Sequence, residues 1–398
     1  MSIFYKFNRS QANTFALHSY SLKSIEMDFR PAKILVKCFF LVFLILCSWE
    51  VQGQIKKVEG PSGKRISFSE LDEKIEELRK EIGMPGISIA IINNNEKVYH
   101  EVFGVVNTKT QEAVNRRHIF EAASLSKPIF AFFVMKLVEQ GKIELDKPLM
   151  KYLPHPGFDS ASQEEAKLIT ARMVLAHQTG MPNHSNGEPM NLAFTPGTDF
   201  SYSGEAYQYL AAIVGMQHGL GWKKGLNELF RSTVSLPLKM PHSTFVWDEY
   251  LQEHKVYGHD SEGKPTANKP QPGRWSGETF NAFSSLHSEA GEYSNFVLAM
   301  LKQEGLKPSS FEEMLKEQTH FKEDNSLKQE IGQTGWGLGF AQKVTEEYTV
   351  HMHTGNNHDF QAYVMFIPER NYGLVVFTNC DKMIPFLTGL SEILGPQF

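Results

Sequence analysis

The sequence predicts an α+β fold, with an antiparallel sheet built from both ends of the mature chain, here residues 54–398, and flanked by helices. Segments rich in β-branched and aromatic residues lie at 87–104 and again at 336–379. Between 143 and 285, helical stretches alternate with loops rich in proline and glycine. We therefore expect an α/β domain from residues 69–142 and 286–398, with a mostly helical domain inserted at 143–285.

The first elements of the mature chain follow from local spacing. Residues 54–68 are mostly polar and predict a leader without regular structure. Apolar residues at helical spacing then predict a helix over 69–82, with Ser69 as its N-cap. Pro85 and Gly86 interrupt the chain, and residues 93–95, all asparagine, predict a turn between two strands.

The remaining elements are one strongly apolar helix and a strand-rich C-terminal part. Apolar residues recurring at three and four positions predict a helix that begins near Ser124 and ends at Gly141. The C-terminal strands include a hairpin with its turn at residues 368–371. Residues 381–394 predict the final helix.

The N-terminal region predicts export. Residues 38–49 are twelve residues without a charge, and Arg30, Lys33 and Lys37 lie just upstream. A basic segment before a short apolar run is typical of a signal peptide, here residues 1–53 with cleavage after Gly53 and a periplasmic destination. Met27 is an alternative start.

Two other interpretations of this region stay open. An uncleaved segment would anchor the protein to the inner membrane, although the apolar run is shorter than the ~20 residues of a spanning helix. Cys47 suggests a lipoprotein signal, but Leu46 before it is large for that signal. Once residues 1–53 are removed, Cys380 is the remaining cysteine, and we predict a buried, unreactive thiol.

Composition and net charge limit the kinds of molecule that this protein is expected to bind. Hydrophobic residues are 41% and charged residues 21%, which is ordinary globular usage and excludes wholesale disorder. The net charge of −5 argues against a nucleic-acid binder, which would show a basic face. We expect a small-molecule or peptide substrate, no nucleic acid, and membrane contact through the N-terminal segment alone.

Ser124 and Lys127 have the spacing S-x-x-K at the start of the apolar helix. Residues at i and i+3 share a helix face, so Lys127 can reach the Ser124 hydroxyl and activate it as a nucleophile. The motif alone is weak, since Ser261 and Lys264 repeat it in a polar loop, where nothing holds the pair together. We predict chemistry at the first copy and none at the second.

Tyr202 and the strand around His353 supply further candidates. A tyrosine beside a lysine can act as general acid and base. His353 is a candidate polar group facing a cleft, with Thr354 beside it, and Gly355 would let a substrate lie close along the strand. The backbone N–H groups of Asn356 and Ser124 could then form an oxyanion hole.

Other motifs are set aside. His351 and His353, with His358 and Asp359 beyond them, suggest a metal site, but no HExxH or paired cysteines accompany them. The glycine-rich residues 335–339 predict the start of a strand rather than a phosphate site, and no GxSxG elbow occurs. We predict no metal and no cofactor.

Taken in order, these segments resemble the serine beta-lactamase and penicillin-binding-protein superfamily, nearest to class C beta-lactamases and their esterase and D-peptidase relatives. The resemblance covers about residues 70–398. It rests on the segments GMPGISIAII, HIFEAASLSKPIF, ITARMVLAHQTGMPN, FTPGTDFSYSGEAYQYL, AFSSLHSEAGEYSNF, GWGLGF and HTGNNHDFQAYVMFI.

The resemblance implies a beta-lactamase/transpeptidase-like fold and a set of roles. Ser124 would be acylated, Lys127 would deprotonate it, and Tyr202, matching the tyrosine of the family's Y-x-N element, would shuttle the proton. Residues 353–355 match the family's K-T-G strand, with His353 in place of lysine.

Two departures weaken the case for efficient beta-lactam hydrolysis. The Y-x-N asparagine, which helps hold the substrate amide in the lactamases, is Gly204 here, and His353 is a weaker, pH-dependent cation than lysine. We therefore predict an exported serine hydrolase that acts on an ester or a D-amino-acid peptide or amide. A beta-lactamase or DD-peptidase, and a non-catalytic binding protein that kept the fold, remain alternatives.

Overall fold

The structure is a computed structural model, and it describes residues 56–273 and 277–397. The predicted signal peptide and the alternative start at Met27 lie outside the described residues. The described residues from Lys56 onward belong to one compact unit. Within the described part of that unit, no helix combines the length and apolar character needed to cross a membrane.

Most strands belong to a single antiparallel sheet. The strands are β1 Lys57–Glu59, β2 Arg65–Ser67, β3 Gly86–Asn93, β4 Glu96–Asn107, β5 Glu112–Ala113, β6 Phe120–Glu121, β7 His287–Ser288, β8 Thr319–His320, β9 Gly335–Trp336, β10 Ala341–Val344, β11 Thr349–Asn356, β12 Gln361–Ile367 and β13 Tyr372–Thr378. Nine of them form the main sheet in the order β5-β4-β3-β13-β12-β11-β10-β9-β8. Pairing of β3 with β13 joins the two ends of the mature chain, as the sequence predicts.

Helices lie on both faces of this sheet. They are α1 Phe68–Ile82, α2 Ser126–Glu139, α3 Gln163–Ala166, α4 Ala171–Leu175, α5 Gly204–Gln217, α6 Lys224–Phe230, α7 Glu249–His254, α8 Ala290–Lys302, α9 Pro308–Leu315, α10 Ser326–Ile331 and α11 Met383–Leu394. Helices α1 and α11 pack together, and α8 packs on β3 and β13. The predicted α+β class is therefore confirmed.

The alternation of side chains along β3 explains the two layers. Ile87, Ile89 and Ile91 belong to the core shared with α1 and α11, whereas Ala90 and Ile92 belong to the core shared with α2 and α8. A strand buried on both faces reads as a continuous apolar run, because neither set of side chains meets water. Here that run is Gly-Ile-Ser-Ile-Ala-Ile-Ile, in which the buried Ser88 is the one polar residue.

The segment 143–285 contains helices and loops, as its composition predicts. Its helices contribute Leu175 and Ile213 to the same core as Phe133 of α2. On this side of the sheet the described unit has one continuous core, with no boundary between 143–285 and the rest. The division into an α/β domain and a helical insert at 143–285 therefore stays a prediction.

The predicted leader at 54–68 is wrong for residues 57–67. These residues form the antiparallel hairpin β1–β2, and Val58 and Ile66 are buried in the core beneath α1. Strands of three residues are too short to show a reliable period of two, so the sequence pattern does not reveal them.

Helix α1 begins one residue earlier than predicted, and its N-cap is Ser67 rather than Ser69. The Ser67 hydroxyl accepts a hydrogen bond from the Glu70 backbone N–H. Gly83, with φ of 69°, then ends the helix in the left-handed conformation that glycine adopts easily.

The two candidate caps allow a matched comparison. We expect Ser67→Ala to lower the free energy of unfolding by about 0.5–2 kcal/mol, because the Glu70 N–H loses its acceptor. Ser69→Ala should change it by less than about 0.5 kcal/mol. Denaturant titration of both variants measures the difference. Equal losses in the two variants would contradict the assignment of the cap.

Several local predictions are confirmed. The turn between β3 and β4 contains Asn94 and Asn95, both with positive φ. The hairpin between β12 and β13 turns at Pro368–Arg370, and Asn371 follows in the left-handed conformation. Cys380 is fully buried, and burial raises the pKa of its thiol, as expected for an unreactive cysteine.

Candidate active site

Ser124 lies in a single 3-10 turn, Ala123–Leu125, that leads directly into α2. Ala123 before it has φ of 48°, a left-handed conformation that is costly for a residue with a Cβ. The Ser126 hydroxyl holds the turn, since it donates to the Ala123 carbonyl oxygen and accepts from the Leu286 N–H. The fold thus stabilises a strained backbone next to Ser124.

Lys127 lies beside Ser124, as the S-x-x-K spacing predicts. Its Nζ atom donates to Ser124 Oγ at 3.1 Å and to the Phe283 carbonyl oxygen at 2.9 Å. The lysine is 1% exposed. One turn of helix therefore places an amine within hydrogen-bond distance of a hydroxyl that is itself partly accessible.

The environment of Lys127 favours its neutral form. Burial lowers the pKa of Lys127 well below its usual range. Among the described residues no carboxylate near Lys127 offsets this effect. A lysine with a lowered pKa has a lone pair available to accept the hydroxyl proton of Ser124, which is what a general base requires.

Tyr202 completes a cluster of three polar groups. It precedes α5, and its ring centroid lies 4.5 Å from the Nζ atom of Lys127. Burial raises the pKa of Tyr202 above its usual value, while a hydrogen bond between its hydroxyl and that of Ser124 partly opposes the rise. Tyr202 therefore holds its proton at neutral pH, which suits a proton relay better than a phenolate base.

Strand β11 passes directly beside the turn that carries Ser124. A Cβ atom on Gly355 would lie 2.4 Å from the Ala122 carbonyl oxygen, so only glycine allows this approach. The sequence predicts close approach of a substrate at Gly355, and the close neighbour in the structure is the chain itself. Thr354 and Asn356, the other predicted binding residues of this strand, are exposed.

His353 differs from the cation that the sequence predicts. It is 3% exposed, and its Nδ1 donates to the Thr354 carbonyl oxygen at 2.8 Å. Burial lowers the pKa of His353 to about 3, and the nearby Lys127 lowers it further whenever the amine is protonated. The His353 ring centroid lies 6.1 Å from that of Tyr202, so the residue is part of the site. It is neutral at pH 7, however, and supplies no positive charge for a substrate carboxylate.

An aromatic layer supports Tyr202, and sequence analysis assigned it no role. The His177 ring lies 4.3 Å from the Tyr202 ring and 5.0 Å from Trp336. Its Nδ1 accepts a hydrogen bond from the Ser203 N–H, and burial lowers its pKa well below the usual range. His177 and Trp336 both occur in segments that carry the family resemblance, and this is the one signal that could have identified them.

The motifs set aside in the sequence differ from the pair formed by Ser124 and Lys127. Lys264 pairs with Glu262 on an exposed loop rather than with Ser261. Residues 335–336 form the short strand β9, as predicted. Across the described ranges, no three His, Cys, Asp or Glu side chains are grouped so that they could hold a metal ion.

Comparison with known proteins gives a family-level match. The family profile described as Beta-lactamase matches residues 71–391. Protein flp of Staphylococcus aureus (strain MW2) is 24% identical over 357 residues, which cover 83% of this chain and 66% of that protein. This chain thus spans 66% of the length of that relative.

Two solved structures share the fold. The octameric penicillin-binding protein homologue from Pyrococcus abyssi superimposes with a TM-score of 0.68 at 22% identity, covering 83% of this chain and 78% of the other. The D-alanine carboxypeptidase AmpC from Burkholderia cenocepacia gives a TM-score of 0.67 at 20% identity, covering 82% and 99%. At these identities the likeness shows a common fold.

Proposed function

This chain belongs to the beta-lactamase family, and we propose that it is a serine hydrolase that forms an acyl-enzyme on Ser124. One observation carries the proposal. The Nζ atom of a buried lysine, Lys127, lies 3.1 Å from Ser124 Oγ, and its low pKa makes it a base that can activate the hydroxyl.

The proposed reaction has two halves. Ser124 Oγ adds to the substrate carbonyl carbon while its proton passes to Lys127, and the N–H groups of Ser124 and Asn356 stabilise the oxyanion. The bond to the leaving group then breaks, and Tyr202 protonates the departing atom and regains a proton from Lys127. Water hydrolyses the ester on Ser124, which releases the acid and restores the hydroxyl.

We favour an ester or a D-amino-acid peptide or amide as substrate. A neutral, buried His353 offers no charge to a free carboxylate, which weighs against beta-lactams and against peptides recognised through their C-terminus. The named activity of the Burkholderia cenocepacia relative keeps a D-alanine carboxypeptidase as the second candidate. The exposed Thr354 hydroxyl on β11 could bind a carboxylate there.

We also propose that the protein is exported to the periplasm. The support is the uncharged run at 38–49 preceded by Arg30, Lys33 and Lys37. Cleavage after Gly53 would leave Gln54 as the first residue. Retention of the segment as an anchor in the inner membrane is the alternative.

Labelling with a fluorophosphonate tests the reaction. The full-length gene product, expressed in bacteria and recovered from the periplasm or the membrane, should gain the mass of one adduct. The same intact mass shows whether residues 1–53 have been removed. Ser124→Ala should give no adduct, because the nucleophile is lost.

The second S-x-x-K copy supplies the matched control. Ser261→Ala should be labelled as fast as the wild type, because Ser261 lies on an exposed loop away from Lys127. If correctly folded wild-type protein is not labelled, the hydrolase proposal is wrong and a binding role gains support. Labelling that survives in Ser124→Ala would place the nucleophile elsewhere.

A further inference from the structure

A buried ion pair lies at the start of the segment that carries the nucleophile. Glu121 is the last residue of β6, three residues before Ser124, and its Oε1 atom accepts from Lys255 Nζ at 2.5 Å. Both side chains are 5% exposed, so the pair is hidden from water. Neither residue takes part in the proposed acylation or hydrolysis.

Stability alone does not explain a buried ion pair at this position. Moving two charges out of water is costly, and apolar residues of similar volume often stabilise a fold as well or better. Burial raises the pKa of Glu121, but the attraction of Lys255 and the hydrogen bonds from Lys255 and Asn357 outweigh it, so this pKa lies below its usual value. Glu121 is therefore ionised at neutral pH, and an ionised carboxylate is a strong hydrogen-bond acceptor.

The second oxygen of Glu121 holds the chain that follows β11. Its Oε2 atom accepts a hydrogen bond from Asn357 Nδ2 at 2.6 Å. Asn357 is buried and comes directly after Asn356, whose N–H is proposed to stabilise the oxyanion. Because Lys255 occupies the other oxygen, the carboxylate is held in the direction of Asn357.

The side chain of Asn357 joins a tight turn to β6. The Asn357 N–H donates to the Phe360 carbonyl oxygen at 2.9 Å, and the Asp359 N–H donates to the Asn357 carbonyl oxygen at 3.1 Å, so the turn closes on itself. His358 within the turn has φ of 71°. The backbone of Asn357 is thus used inside the turn, and its amide group is directed to the strand before the nucleophile.

Two neighbouring contacts hold Asn356 between them. On one side, Gly355 approaches the Ala122 backbone so closely that a Cβ atom would lie 2.4 Å from its carbonyl oxygen. On the other side, Asn357 reaches Glu121, the residue before Ala122. An oxyanion hole stabilises the developing charge because its N–H groups are in place before the reaction. These two contacts give the Asn356 N–H such a fixed place relative to the nucleophile.

The same amide also approaches the segment that orients Lys127. Asn357 Nδ2 lies 3.4 Å from the Ser284 carbonyl oxygen. Phe283, the residue before Ser284, accepts from Lys127 Nζ at 2.9 Å. A variant of Asn357 could therefore act through the oxyanion hole or through the base, and the experiment has to separate the two.

We propose that Glu121 is a positioning residue for the oxyanion hole, acting through a chain of hydrogen bonds from Lys255 to Glu121 to Asn357 that fixes the Asn356 N–H. The inference rests on the proposed hydrolase function and extends it to residues outside the cluster around the nucleophile. None of these side chains is expected to touch the substrate.

The preference of the site for oxygen over sulfur reports on the oxyanion hole. A fluorophosphonate directs its P=O oxygen to the two N–H groups, whereas the analogue with P=S presents a larger atom that is a weaker acceptor. Intact mass gives the rate constant for labelling of Ser124 by each probe. The ratio of the two rate constants does not depend on the fraction of protein that is folded.

Two variants break the chain of hydrogen bonds at different points. Glu121→Met combined with Lys255→Met removes the pair and leaves no buried charge, and Asn357→Leu keeps the pair and removes the amide. We expect each to lower the oxygen-to-sulfur ratio about tenfold, which is less than the roughly 10²–10³-fold cost of deleting an oxyanion donor. Asn357→Leu tests the chain even if the double variant does not fold.

Glu289→Gln supplies the matched control. Glu289 is also a buried carboxylate in an ion pair, with His100 at 2.8 Å, and it caps α8 rather than contacting the turn after β11. The variant should lower the melting temperature and keep the wild-type ratio. A ratio that fell as far here as in Asn357→Leu would overturn the inference, because general loosening of the fold would explain both.

The outcomes distinguish this inference from the function on which it rests. A wild-type ratio in Asn357→Leu or in a folded double variant would overturn the role of Glu121 and leave the hydrolase intact. If both probes slowed equally, the effect would pass through Lys127 instead. Failure of the fluorophosphonate to label Ser124 in the wild type would overturn the proposed function and this inference with it.

Discussion

Replacing Lys127 with methionine should lower the rate of Ser124 acylation by about 10²–10⁴-fold, the usual range for a general base. Methionine fills similar space but cannot take the hydroxyl proton. Lys127→Arg should fail to a comparable extent, because a guanidinium keeps the charge and does not deprotonate in proteins. Acylation by the fluorophosphonate, followed by intact mass, gives the rate for each variant.

Lys127→Met should not lower the free energy of unfolding at neutral pH. Burial lowers the pKa of Lys127 in the folded state, so the unfolded chain binds more protons at this residue. The free energy of unfolding of the wild type therefore rises as the pH rises towards the ordinary lysine pKa. Methionine removes the dependence, and we expect Lys127→Met to be at least as stable as the wild type at pH 7.

The pH dependence of acylation gives an independent check. The rate should rise as Lys127 loses its proton and reach a plateau well below the ordinary lysine pKa, because burial lowers that pKa. Lys264→Met, in the exposed second copy of the motif, should leave the profile unchanged. If Lys127→Met kept more than about a tenth of the wild-type rate, Lys127 would not be the base.

Local spacing accounts for the part of the site that sequence analysis predicts best. Ser124 and Lys127 are three residues apart at the start of one helix, so helical geometry alone brings them together. The opening and closing strands are likewise visible as apolar runs, and their pairing in one sheet follows from the layer architecture. Tyr202 is 75 residues from Lys127, and only the order of family segments indicated its place.

Properties set by distant neighbours could not be predicted in this way. The neutral state of His353 depends mainly on its burial by residues that are far from it in sequence. Gly204 has little space for a side chain, because Asn183 and Phe283, from other parts of the chain, lie beside it. Each of these two positions departs from the family pattern, and the effect of the departure depends on tertiary contacts.

Tyr202→Phe should lower turnover by about 10²–10⁴-fold, because it removes the hydroxyl proposed to protonate the leaving group. Stability should fall by no more than about 1.5 kcal/mol, since Ser124 keeps Lys127 as a hydrogen-bond partner. Steady-state kinetics and denaturant titration measure the two effects separately.

Tyr207 provides the matched control for this change. It is also buried, and its ring centroid lies 5.8 Å from the Nζ atom of Lys127, but its hydroxyl donates to the Leu175 carbonyl oxygen. Tyr207→Phe should therefore lose about 1 kcal/mol of stability and keep most of its turnover. Equal kinetic losses in the two variants would show that Tyr202 acts through packing rather than through its proton.

The leaving group decides whether Tyr202 is a proton donor or only a support for Ser124. A p-nitrophenolate leaves without protonation, whereas an alkoxide or an amine needs a proton as its bond breaks. The Tyr202→Phe defect should therefore be several-fold smaller for a p-nitrophenyl ester than for an alkyl ester or amide of the same acyl group. A defect of the same size on both would exclude proton donation by Tyr202 and leave Lys127 as the group that protonates the leaving atom.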